Sequence, residues 1–368
     1  MTRFRTDEVS LALRDTAVLT TLSLPQWEGL IRQARGANLL SRLAVTLDDL
    51  GLLHLVPAGP AAHLAASLVL AQAQEEAVRR ELIHIRKALG DAGVDIVLLK
   101  GAAYLFARLP AARGRMFVDI DILVPKAALS EVEGALMLHG WAATHDNAYD
   151  QRYYRRWMHE LPPFKHVGRM TLVDVHHAIL PPTARLKPEA TKLLASSRPI
   201  AAADPRLRVL APADMVLHSA THLFFNEELG NGLRDLVDLD SLLRHYGEKA
   251  GFWQELADRA AELNLVRPLY YAVRYAMQIL DTPVPAQMLR AAEIGRPPIL
   301  LRRLMDALFL RALRPDHACA ADVFTPLARR SLYVRAHWLR MPPVPLAWHL
   351  LIKAFRRAES HASHPAAN

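Results

Sequence analysis

The 368-residue chain contains a single cysteine, Cys319. One thiol excludes an intramolecular disulfide and a cysteine-built zinc site, and it fits a reducing compartment. Nor is there a long hydrophobic run. The most apolar stretch, residues 52–73, is interrupted by Pro57, Pro60 and His63, which excludes a membrane span there. The opening residues MTRFRTDEVS are polar and lack the apolar segment of a secretory leader. No internal repeat and no long low-complexity run is visible. These absences lead to the expectation of a soluble, cytoplasmic protein with no transmembrane segment. What the chain has in quantity is apolar side chains: a hydrophobic fraction of 52% supplies a core for two or three domains or subdomains.

Charge is unevenly spread. The net charge is +8, yet residues 296–357 carry 12 Lys/Arg against 3 Asp/Glu, so the remainder is close to neutral. A basic C-terminal segment that also holds Tyr333, Trp338, Trp348 and Phe355 is a solvated helix surface, a site for nucleic acid, or a face for an anionic membrane. No recognised nucleic-acid-binding module accompanies it.

Periodicity divides the chain into a helical N-terminal region (1–90), an α/β core (91–205), a C-terminal helical region (206–358) and a disordered tail (359–368). Ser23-Leu24-Pro25 opens a helix, with Ser23 as cap. Leu39, Leu40, Leu43, Leu47 and Leu50 keep helical spacing, and a long helix covers 60–89. The texture then changes. Residues 94–100, 116–124 and 170–179 read as short buried strands, 151–157 as another strand, and 101–109 and 126–139 as helices. Strand, helix, strand, helix, strand defines an α/β (α+β) core with a small mixed sheet. Helices are expected again over 212–226, 233–246, 252–263, 267–280, 299–313 and 346–357.

The chemistry concentrates in Val118-Asp119-Ile120-Asp121-Ile122. Side chains alternate along a strand, so Asp119 and Asp121 share one face while Val118, Ile120 and Ile122 share the other. Two carboxylates on one face of an apolar strand repel each other and call for a counter-charge. A divalent cation such as Mg²⁺ or Mn²⁺ supplies it; the alternative is a pair of strand-end aspartates facing water. A third carboxylate, Asp174, lies in a similar apolar strand, and three carboxylates on neighbouring strands can hold two metals. Upstream, Lys100-Gly101 ends one strand and opens a helix, where a glycine lets backbone approach a phosphate. Arg113 and Arg115 precede the Asp-x-Asp strand as charged donors.

The order strand, Lys100-Gly101, helix, then Arg115-x-x-x-Asp119-x-Asp121, then Asp174-x-His176 resembles the uncharacterised nucleotidyltransferase family of the polymerase-β-like nucleotidyltransferase superfamily. The resemblance extends over roughly residues 20–280, through His218, His222, Arg234 and Asp238. It implies the nucleotidyltransferase fold and transfer of a nucleoside monophosphate from an NTP, ATP among them, to a hydroxyl acceptor, with a small molecule or peptide favoured and pyrophosphate released. By the superfamily pattern Asp119 and Asp121 bind both metals, and Asp174 completes the second metal site and helps activate the acceptor. Lys100, Gly101, Arg115 and His176 are expected at the nucleotide. One departure is Gly101-Ala102 in place of the usual Gly-Ser. That missing hydroxyl favours the alternative, a non-catalytic binding protein on the same fold.

Other residues carry two readings. His176 shares a face with Asp174 and either touches the nucleotide or is a hydrogen-bonded sheet-edge histidine, whereas His177 points the other way. His218 and His222, four apart with Asp214 one turn earlier, have metal-clip spacing without the glutamate of a zincin, which favours packing. Arg234 and Asp238, also four apart, either pair on a surface or wall an acceptor pocket together with His222. Arg155 and Arg156, beside Tyr153, Tyr154 and Trp157, read as a solvated strand edge ahead of a base-stacking lip.

Overall fold

In the computed structural model, which describes residues 7–90, 92–144, 148–225 and 229–341, seven short strands make one mixed sheet. They are β1 (Ile96–Leu98), β2 (Ile120–Leu123), β3 (Trp141–Ala143), β4 (Phe164–His166), β5 (Leu172–His176), β6 (Arg198–Ala201) and β7 (Asp204–Val209). Their spatial order is β3-β4-β5-β2-β1-β7-β6. β2 runs parallel to β5 and antiparallel to β1, and β1 runs parallel to β7. β1 and β2 are buried at every position, as expected of central strands covered on both faces. Pro199 sits in β6, at the edge of the sheet, where a missing N–H breaks no interior ladder.

Helices precede and follow this sheet. Leu24–Gly36 begins with the expected cap: the Ser23 N–H donates to Gln26 Oε1 at 2.9 Å, half of a capping box. Leu40–Asp49 buries Leu40, Leu43 and Leu47, while Leu50 falls beyond it and is exposed. The long helix Ala58–Ala88 lies where the apolar pattern placed it. After the sheet come Pro212–Phe225, Gly232–Gly247, Phe252–Glu262, Val266–Leu280 and Ile299–Ala312. Phe224, Tyr271, Tyr275 and Phe309 build an aromatic cluster there, with Phe309 5.2–5.5 Å from the other three ring centroids.

The expected strand over 151–157 is instead part of the helix Ala148–Trp157. Tyr153 and Trp157 are one helical turn apart and meet edge-to-face at 5.9 Å. Arg155 reaches Glu133 at 2.7 Å from this helix, so a solvated strand edge does not exist there. Val118 also departs from expectation. It precedes the four-residue β2 and is exposed, whereas Ile120 and Ile122 are buried.

In the basic C-terminal segment, Asp306, Asp316 and Asp322 each pair with arginine: Arg274, Arg329, and Arg311 with Arg314. The helix expected over 346–357, with Trp348 and Phe355, and the tail 359–368 lie outside the described residues. Among the described residues no helix is long and apolar enough to cross a membrane.

Candidate active site

The parallel ladder between β2 and β5 sets Asp121 directly opposite Asp174. Asp119 precedes β2 by one residue and, two residues from Asp121, falls on the same face. One carboxylate oxygen from each of Asp119, Asp121 and Asp174 lies within 4.8 Å of the others. Asp121 is buried and the other two are half-buried.

Two nitrogen groups answer Asp121. Lys100 Nζ lies 2.7 Å from Asp121 Oδ1, and His176 Nε2 lies 2.9 Å from the same oxygen. Lys100 follows β1 at the first residue of the helix Lys100–Phe106, with φ of 46°. That left-handed conformation is uncommon outside glycine and costs free energy. It is held in place where the Leu99 N–H donates to the Asp121 carbonyl at 3.0 Å.

The electrostatics separate the three acids. Burial would raise Asp121, but Lys100 and His176 hold it well below the usual carboxylate range. The charge on Asp121, and then burial, raise Asp119. Burial, and then Asp121, push Asp174 up to about 7. Burial would lower Lys100, yet Asp121 and Asp119 take it up to about 12. Burial would lower His176, but its hydrogen bond to Asp121 and the charge of Glu160 raise it. A crowded set of carboxylates in which Asp119 and Asp174 are both raised is short of positive charge, and all-oxygen ligands suit Mg²⁺. The residues present therefore fit a divalent cation.

Gly101 has a steric reason for its identity. A Cβ there would stand 2.3 Å from Arg115 Nη1 and 2.9 Å from the guanidinium carbon. The side of Gly101 on which a Cβ would stand is thus filled by Arg115. Arg115 is buried, donating from Nε to Asp238 Oδ2 at 2.7 Å and lying 5.6 Å from the Phe117 ring. Burial pulls its guanidinium down, and Asp238 more than reverses that. Asp238 is also 3.4 Å from Arg42, whose Nη1 donates to the Pro110 carbonyl at 2.7 Å. Arg42, Asp238 and Arg115 thereby tie an N-terminal helix, the approach to β2 and the helix Gly232–Gly247 together. Arg113 is exposed and pairs with Asp49.

Arg234 pairs with Asp235 at 2.8 Å, and not with Asp238 as the four-residue spacing suggested. Its charge still reaches Asp119 and lowers it. His222 Nδ1 is 3.8 Å from Asp235. Burial, and then the charge of Lys100, hold His222 well below its usual pKa and bring His218 down to about 3. Asp214 is taken by Arg259 at 2.6 Å, so it forms no metal clip with the two histidines. His177 is buried apart from the cluster, with its N–H donating to the His159 carbonyl.

Two neighbours had no sequence signal. Glu160 Oε2 lies 3.2 Å from His176 Nδ1, and the His159 ring is 5.4 Å from the His176 ring. Both precede Leu161-Pro162-Pro163 in a segment with neither helical nor strand period. Only their bridge to β5 places them here.

A trio of acids beside a half-buried lysine thus lines one face of the mixed sheet. Residues 23–281 match the family described as uncharacterised nucleotidyltransferase, and the chain belongs to that family. No curated protein and no solved structure matches it.

Proposed function

We propose that the protein is a metal-dependent nucleotidyltransferase of the polymerase-β-like kind, which moves a nucleoside monophosphate from an NTP such as ATP to a hydroxyl of a small molecule or peptide. The observation that carries this reading is the convergence of Asp119, Asp121 and Asp174 within 4.8 Å beside Lys100. The acceptor oxygen forms a bond to the α-phosphorus, the bond from that phosphorus to the bridging oxygen breaks, and pyrophosphate leaves with its electron pair. Bound Mg²⁺ or Mn²⁺ would be held by the three carboxylates and would supply charge neutralisation at the phosphates. Asp174 would take the acceptor proton as the new bond forms. Lys100 turns from Asp121 towards phosphate oxygens when substrate enters. His176 holds Asp121 in place, and the backbone at Gly101 adjoins the nucleotide. Arg115 acts from behind Gly101, His222 and Arg234 line the acceptor side, and Asp238 supports them through Arg115.

The test is calorimetric binding of each NTP with and without Mg²⁺, paired with pyrophosphate release. Wild type is expected to bind an NTP only with metal, and Asp119→Ala with Asp121→Ala to bind none. Absence of metal-dependent NTP binding by the wild type overturns the reading in favour of a non-catalytic binding protein.

A further inference from the structure

Next to the carboxylates lies a second cluster of different chemistry. His159, Glu160 and His176 each present a ligand atom, all within 4.8 Å of one another. Glu160 Oε2 is 3.2 Å from His176 Nδ1 and 3.9 Å from His159 Nε2. The backbone sets this arrangement. Glu160 and His176 are antiparallel bridge partners, the Leu161 N–H donates to the Val175 carbonyl at 2.9 Å, and the His177 N–H donates to the His159 carbonyl at 2.8 Å. Two of the three side chains come from consecutive residues, and the third comes from the strand to which those residues are clamped. All three are largely shielded, with side-chain exposures of 13%, 19% and 6%.

We propose that His159, Glu160 and His176 form a second metal site, separate from the aspartate trio, which takes a borderline transition ion of the Zn²⁺ type through two imidazole nitrogens and one carboxylate oxygen. Ligand type makes the distinction. Imidazole suits zinc, cobalt and nickel, whereas the all-oxygen trio suits magnesium or manganese. Bonds of about 2.0–2.2 Å to a tetrahedral ion put ligand atoms about 3.3 Å apart. The Glu160–His176 spacing is already there, and the His159 spacing needs a small ring rotation. His159 Nδ1 is buried without a hydrogen-bond partner, so no bond through that nitrogen resists the rotation. Three protein ligands leave a fourth position open. Because His176 reaches Asp121 through Nε2, its ring joins the two sites, and a cation in one is felt by the carboxylates of the other. This inference does not rest on nucleotidyl transfer.

The full-length protein, stripped with a chelator, is titrated with Zn²⁺ by calorimetry and with Co²⁺ by visible absorption. Wild type is expected to show a Co²⁺ ligand-field band and a zinc site that survives Asp119→Asn with Asp174→Asn. His159→Ala should abolish the band and weaken zinc by more than the roughly 10–100-fold that loss of an outer-shell partner costs. Glu160→Gln, which keeps size, should weaken it as well, and circular dichroism checks that each variant is folded. Zinc affinity unchanged in folded His159→Ala, or lost in the aspartate double variant with the histidines intact, overturns the site. Neither result depends on whether an NTP binds.

Discussion

Asp121 and Asp174 are register partners on the parallel β2–β5 ladder, and Lys100 forms its ion pair with the first. Asp174 is left with a raised pKa, and the sign of its effect on stability follows. The folded protein keeps a proton that the unfolded chain gives up near 3.8. Stability therefore falls as pH rises between about 4 and 7, and above that the cost is complete. Asp174→Asn removes the cost. Metal-free Asp174→Asn is expected to melt about 2–4 °C above wild type at pH 8, with a gain that shrinks as pH falls, while nucleotidyl transfer is lost. A melting difference independent of pH would refute this account.

The Arg42–Asp238–Arg115 triad makes a prediction about stability alone. Asp238→Ala strands two buried guanidinium groups, which costs about 3–5 kcal/mol. Urea denaturation measures it, and a loss below about 1 kcal/mol would mean that water reaches these groups.

Gly101→Ala tests the contact with Arg115. Gly101 is not among the positive-φ residues, so the added methyl acts through its clash with the guanidinium. The expected cost is about 1–3 kcal/mol. In an Arg115→Ala background that cost should largely vanish, which a double-mutant cycle reads directly.

Glu81, on the long helix Ala58–Ala88, supplies a contrasting pH dependence. Burial pulls its pKa up, but the hydrogen bonds from Arg169, at 2.7 and 3.1 Å, hold it below the ordinary value. A depressed carboxyl stabilises the fold above its unfolded pKa of about 4.5, and the contribution is lost as pH falls through the folded value. Glu81→Gln is expected to cost about 1–3 kcal/mol at pH 7 and less at pH 3. Equal costs at both values would show that shape, not charge, matters there.

Much of the site was legible because a strand's period of two is rigid. Asp119 and Asp121 had to share a face once the apolar residues between them were seen. That Asp174 would stand opposite Asp121 was beyond the pattern, since register is set by pairing between distant segments. The Asp238 partner was unreadable for the same reason. A local reading offered Arg234 at four residues, yet the bond is made by Arg115, 123 residues away. Short elements were missed where three residues carry too little period, as in β3 and β4. Ala148–Trp157 was taken for a strand because its aromatic content outweighed the turn-by-turn contact of Tyr153 with Trp157. Glu160 and His159 left no trace because a loop held by its backbone has no period to detect.

Lys100 has one further consequence. Its ammonium sits within the acidic face as a tethered, exchangeable ion. The sheet can therefore close around its like charges with a counter-charge that the chain itself carries.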